Sequence, residues 1–153
     1  MIKQPWKFIG FVWALPVTLI GLAWALILWA KWFRLEPADW SLHFVCPNDK
    51  HGQKWLLHFN VGAQTLGNVI VYSRSTYAGP ETTMVKHERV HVKQGMKFGI
   101  LNPILYFSLS ILAWMYGQDI YRGNEAEEQA RAESGEVPQP GDIKPKDHTG
   151  GKL

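Results

Sequence analysis

Only one cysteine, Cys46, occurs in the 153 residues, so an internal disulfide cannot form and a cross-linked extracellular scaffold is excluded. Charge is scarce as well. Lys, Arg, Asp and Glu make up 19% of the chain and nearly balance at a formal +3. The basic residues stand singly, without the clustered face that phosphate neutralisation requires, which argues against a nucleic-acid partner. Apolar side chains are abundant at 46%, with eight tryptophans. The length suits one domain with a modest core.

From Phe8 to Ala30 the chain reads FIGFVWALPVTLIGLAWALILWA, 23 residues without a charge. As a helix this run measures about 34 Å, enough to cross a hydrocarbon core. Lys3 and Lys7 flank one end, Lys31 and Arg34 the other, and Trp6, Trp29 and Trp32 sit at the two headgroup levels. Pro16 is expected to kink the helix without ending it. No small-x-small cleavage site follows, so the run reads as an uncleaved single-pass membrane anchor over residues 1–35, of undetermined orientation, with membrane lipid as its partner.

Turn signals at Pro37, Pro47-Asn48-Asp49, His51-Gly52 and Gly79-Pro80 divide the next stretch. Between them SLHFVC (41–46), KWLLHFNV (54–61) and LGNVIVYS (66–73) lean towards strand, which predicts a small antiparallel sheet. His43 and His58 alternate with apolar neighbours and read as hydrogen-bonded structural residues. Cys46, with His43 and His51 near it in sequence, reads as a thiol at a strand end, since one thiol and two unplaced imidazoles form a weak metal pattern. From Gly135 the chain is rich in Pro, Gly and charge without periodicity. Residues 135–153 are therefore expected to be a disordered tail, and His148 within it to carry no function.

The central stretch MVKHERVHVKQG (84–95) is expected on a helix that begins near Pro80-Glu81 and frays at Gly95 or Gly99. Residues four apart share one helical face, so His87 and His91 project together, at a spacing that suits two imidazole ligands of Zn2+. Glu88 follows by about 100° of rotation, beside the metal and not on it, where a general base belongs. A catalytic zinc needs a third protein ligand. The acidic helical segment after Asp119, with Asn124 as N-cap, offers Glu125, Glu127 and Glu128. The strand-forming run LGNVIVYS lies close before the motif, so an edge strand could border the metal and receive an extended peptide by strand addition.

TLGNVIVYSRS, then HERVHVKQGMKFGIL, an apolar stretch, and GQDIYRGNEAEEQA together resemble a group of small bacterial and phage gluzincin-type zinc metallopeptidase-like proteins. Their pattern runs TLGxVI, HErxHvxQ with a following glycine, then Y-x-x-N-P-F-E-x-x-A, and it covers residues 65 to 131 here. The resemblance implies that Tyr121 and Asn124 align with the pattern, that Glu127 is the third zinc ligand, and that residues 36–134 form a zincin-like metallopeptidase domain. Glu125-Ala126 stand where the pattern has Pro-Phe, which leaves Glu128 and then Glu125 as alternative ligands.

If Glu127 meets the zinc, the second uncharged run, residues 98 to 118, cannot be a straight spanning helix, which would carry the chain about 30 Å away. Gly95, Gly99 and above all Asn102-Pro103 supply a break, so an apolar helical hairpin is expected. The fold expected is therefore α+β: a transmembrane helix, a small antiparallel sheet, the HExxH helix and the hairpin. The function expected is hydrolysis of peptide bonds in a peptide or protein substrate, with a zinc-activated water, Glu88 as general base and Tyr121 as donor to the carbonyl oxygen. The competing expectation is a non-enzymatic small membrane protein, phage-encoded for example, with a structural or vestigial metal site.

Overall fold

The computed structural model describes residues 5–80 and 82–137. Helix α1 (Pro5–Ile27) continues through Pro16, and strand β1 (Lys31–Glu36) returns beside it. Strand β2 (Ser41–Val45), helix α2 (His51–His58), strand β3 (Ala63–Leu66) and strand β4 (Val69–Tyr72) follow. Helix α3 (Thr83–Phe98) carries the HExxH motif, a short 3-10 turn covers Gly99–Leu101, and helices α4 (Asn102–Met115) and α5 (Glu125–Ser134) complete the described fold.

The four strands form one sheet in the order β1-β2-β4-β3. The architecture is α+β as expected, but the sheet is mixed where an antiparallel one was expected. β2 pairs with β4 in parallel, with α2 and β3 lying between them in the chain, while β1–β2 and β3–β4 are antiparallel. Two strand expectations need correction. KWLLHFNV lies largely on α2, where His58 is exposed and not a satisfied strand residue. KWFRLE, read as the flank of the anchor, is β1.

Alternation along β4 sorts its side chains onto two faces. Val69 and Val71 pack with Ala25 of α1, Leu28 just after it, Leu56 of α2 and the buried Cys46. Ile70 and Tyr72 pack with Val85 and Val92 of α3. The sheet thus lies between α1 with α2 on one side and α3 on the other.

Burial on α1 recurs at helical spacing: Ala14, Val17, Thr18, Gly21 and Ala25 face the protein, followed by Leu28 in the turn after the helix. The docking is close because small residues permit it. A Cβ on Gly21 would stand 2.6 Å from the Leu66 carbonyl oxygen, and one on Gly67 would stand 2.5 Å from the Thr18 nitrogen. Thr18 Oγ1 donates to the Ala14 carbonyl and accepts from the Asn68 amide at 3.0 Å. By length and composition alone, both Trp6–Ile27 and the continuous stretch Thr83–Met115 are apolar enough to cross a membrane.

The second of these is broken. Gly99 adopts φ 57° and ψ −130° at the end of α3. Fifteen residues separate His91 from Tyr106, which a straight helix would hold about 22 Å apart. Their ring centroids are 6.3 Å apart, so α4 folds back over α3 as the hairpin expectation requires.

Candidate metal centre

Thr82 begins α3. Its side chain accepts from the Val85 amide at 3.2 Å, satisfying a donor that the first turn leaves without an intrahelical partner. Glu81, expected in that first turn, lies outside the described residues. One turn in, His87 and His91 stand on one face with their Nε2 atoms 3.2 Å apart. Asn124 begins α5 in the same manner, accepting from the Ala126 amide at 2.8 Å, and this start sets the phase that turns Glu127 inward.

Glu127 is 3% exposed, and its carboxylate straddles the imidazole pair: Oε2 is 3.2 Å from His87 Nε2 and Oε1 is 3.3 Å from His91 Nε2. Among the described residues, His87, His91 and Glu127 form the group whose ligand atoms could hold one metal ion. Glu125 is exposed and Glu128 half-buried, and neither joins the group.

Two of the three ligands have a hydrogen-bonded support. His91 Nδ1 is 2.9 Å from Gln94 Oε1, whose amide nitrogen donates to the Ala126 carbonyl and to Gln129 Oε1. The oxygen of Gln94 therefore faces the ring and a proton sits on Nδ1, so Nε2 is the nitrogen turned to Glu127. Tyr106 donates to Glu127 Oε1 at 2.7 Å. His87 Nδ1 is buried without a hydrogen-bond partner, and Glu136 Oε2 lies 3.4 Å from it.

These contacts shift the proton equilibria. Burial disfavours charge on His91, but hydrogen bonding to Glu127 and the charges of Glu88 and Glu127 outweigh it and raise its pKa to about 9. Burial alone would raise Glu127, but hydrogen bonds from His87 and His91 hold it well below the usual carboxylate range. Two imidazole lone pairs and a carboxylate facing one another repel unless a positive centre lies among them. A proton on His91 or a cation meets that need.

Glu88 is 5% exposed, and its Oε2 accepts from Thr65 Oγ1 at 2.6 Å. The strand beside α3 is therefore β3, the sheet edge; the run LGNVIVYS, expected as one edge strand, gives only Leu66 to β3 and its VIVY to β4, which is interior between β2 and β3. Tyr121 is more than half exposed, in a turn that Asp119 closes by accepting from the Tyr121 and Arg122 amides. Although the residue is more than half exposed, its hydroxyl end is buried against Glu127, and that burial, then the Glu127 charge and hydrogen bond, push the Tyr121 pKa above the usual tyrosine value.

Sequence reasoning missed Thr65, Gln94 and Tyr106 as partners of the site. Gln94 stands one turn below His91 and was legible by spacing. Tyr106 was hidden in an apolar run, where one hydroxyl among aliphatic neighbours gives no sign of a partner. No protein-family model, curated protein or solved structure matches the chain.

Proposed function

We propose that the chain is a membrane-bound, zinc-dependent metallopeptidase of gluzincin type, with His87, His91 and Glu127 as ligands. One observation carries this reading. Tetrahedral zinc with nitrogen and oxygen ligands at about 2.0–2.2 Å needs its donor atoms about 3.3 Å apart. His87 Nε2 and His91 Nε2 are 3.2 Å apart, Glu127 reaches His87 through Oε2 at 3.2 Å and His91 through Oε1 at 3.3 Å, and one ligand atom from each residue lies within 4.8 Å of the others.

Zinc bound there would polarise a substrate carbonyl and acidify a water. The chain's own residues divide the remaining work. Glu88 holds a proton acceptor beside the ligands, oriented by Thr65, and takes up the proton released as water attacks. Tyr121, whose hydroxyl hydrogen-bonds Glu127, stands beside the ligands, where a peptide carbonyl gaining charge needs a donor. The free edge of β3 would align an extended peptide alongside α3.

Metal content and turnover test the reading separately. The purified chain should hold close to one zinc, and Glu127→Ala should lose it. Glu88→Gln should keep the metal and abolish peptide hydrolysis. A zinc-free wild-type protein, or full activity in Glu88→Gln, would remove the proposal.

A second reading keeps the metal without the reaction, as a staple for a thin core in a non-enzymatic membrane protein. Its support is burial: His87, Glu88 and Glu127 are each no more than 6% exposed. Binding of a hydroxamate to the zinc-loaded chain would favour the enzyme, because it requires an open coordination position. Failure to bind would favour the staple.

A further inference from the structure

The outer face of α1 is uncharged from end to end. Every exposed position between Trp6 and Ile27 is apolar, including Ile9, Ile20 and Ile27 at 66%, 61% and 58% exposure. The outer face of α4 matches it, with Ile104, Phe107, Ile111, Trp114 and Met115 all more than half exposed. Ser108 is the single polar exception there, and its hydroxyl donates to the Ile104 carbonyl at 2.8 Å, so the side chain requires no water. The two faces meet where Trp13 covers Gly99.

The inner face of α1 is docked along its whole length. Lys7 Nζ donates to the Ala38 carbonyl, Phe11 lies tilted against Trp40 with ring centroids 5.3 Å apart, Thr18 holds Asn68, and Trp24 donates to Gln64. Charged surface of the domain lies at the same levels. Gly95 of α3 packs on Gly67, which packs on Thr18, and two residues away the exposed Lys93 pairs with Glu133 of α5. A bilayer crossed by α1 would enclose that ion pair beside the middle of the helix, where hydrocarbon strongly disfavours it. A bilayer tangent to the outer face leaves it in water.

We infer that α1 lies in the membrane plane, and that its outer face, with that of α4, seats the protein in one leaflet. The occupant of the apolar surface is lipid, and the attachment is monotopic, not spanning. The exposed Lys31, just beyond the end of α1, favours anionic headgroups. The inference rests on the membrane part of the function proposed above and is independent of the metal.

Depth measurements on the full chain test it. Ile9, Ile20 and Ile27 fall on one line of the helix, and the first and last are about 27 Å apart along the axis. Each is replaced by cysteine in turn and spin-labelled, the chain is bound to phosphatidylcholine–phosphatidylglycerol vesicles, and collision with oxygen is compared with collision with a water-soluble nickel chelate. All three labels should report the same depth. A label at residue 20 buried deep while residues 9 and 27 sit at headgroup level would overturn the inference in favour of a spanning helix. Labels exposed to water, or protected only through self-association without vesicles, would overturn it in favour of no membrane seat or of a second copy. Ile20→Asp should reduce vesicle flotation at least tenfold and leave bound zinc unchanged, so failure of the seat and failure of the metal site give different results.

Discussion

His91 Nδ1 and Gln94 Oε1 are 2.9 Å apart, and the amide nitrogen of the same glutamine is held by two acceptors on α5. One side chain thus fixes the tautomer of a ligand and ties together the helices that carry the three ligands. Outer partners of this kind are worth about 10- to 100-fold in metal affinity. Gln94→Leu should weaken zinc binding by about that factor, measured by competition with a chromophoric chelator, and Gln94→Glu, which keeps an acceptor, should recover part of it. Equal affinity in Gln94→Leu and wild type would reduce Gln94 to a packing residue.

Asn124 performs three tasks while fully buried. Its oxygen caps α5, and its nitrogen donates to the Tyr106 carbonyl at 3.0 Å and to Ser110 Oγ at 2.7 Å. Asn124→Ser retains a cap but cannot reach α4, and leaving buried acceptors without a donor costs about 1–3 kcal/mol. Asn124→Ala should cost about 1 kcal/mol more through loss of the cap. Chemical denaturation should rank wild type above Ser and Ser above Ala. A serine variant as stable as wild type would mean that these links do not hold α4.

His43 predicts an acid limit. Ser41 Oγ gives its proton to Asp39, so it accepts from His43 Nε2, while Tyr72 Oη faces Nδ1 at 3.0 Å. The neutral ring satisfies every partner. Burial, followed by the charge of Arg34, lowers its pKa to about 4 from an ordinary 6.5. Between those values the unfolded chain binds a proton that the folded chain refuses, so stability falls as pH falls from 6.5 to 4. One such group gives a slope of about 1.4 kcal/mol per pH unit at most. Subtracting the curve of His43→Gln from that of wild type should isolate the slope, and parallel curves would mean that the ring is not held neutral.

The HExxH helix, the α5 cap and the fold-back of α4 were legible because each depends on local chemistry: ligand spacing, an asparagine before an acidic turn, a glycine with Asn-Pro after it. The sheet was not. KWLLHFNV is short and apolar enough to suit a strand, yet Gly52 packs against the Leu28 carbonyl and Leu56 enters the core only when the segment is helical. The parallel pairing of β2 with β4 joins residues on either side of α2 and β3, and no local signal specifies it. β1 was concealed by its position after the apolar helix, where Lys31, Trp32 and Arg34 resemble an interfacial flank.

The turn at Gly99 carries two costs that substitution can separate. Its φ of 57° with ψ −130° lies where a side chain is strained, and a Cβ there would stand 2.2 Å from Trp13 Nε1. At Gly135, with φ 73°, a methyl group would meet nothing within 4 Å, so alanine there encounters backbone strain alone. Gly135→Ala should lose about 1 kcal/mol. Gly99→Ala should lose more, because its ψ of −130° lies outside the left-handed region that Gly135 occupies and because Trp13 must move from the junction of α1 with the turn, a movement that should register as a change in tryptophan fluorescence. Protease cleavage near residues 99–102 should rise in the same variant as α4 lifts from α3. Equal losses at the two glycines, with unchanged fluorescence, would show that the α1–turn contact does not hold the hairpin closed.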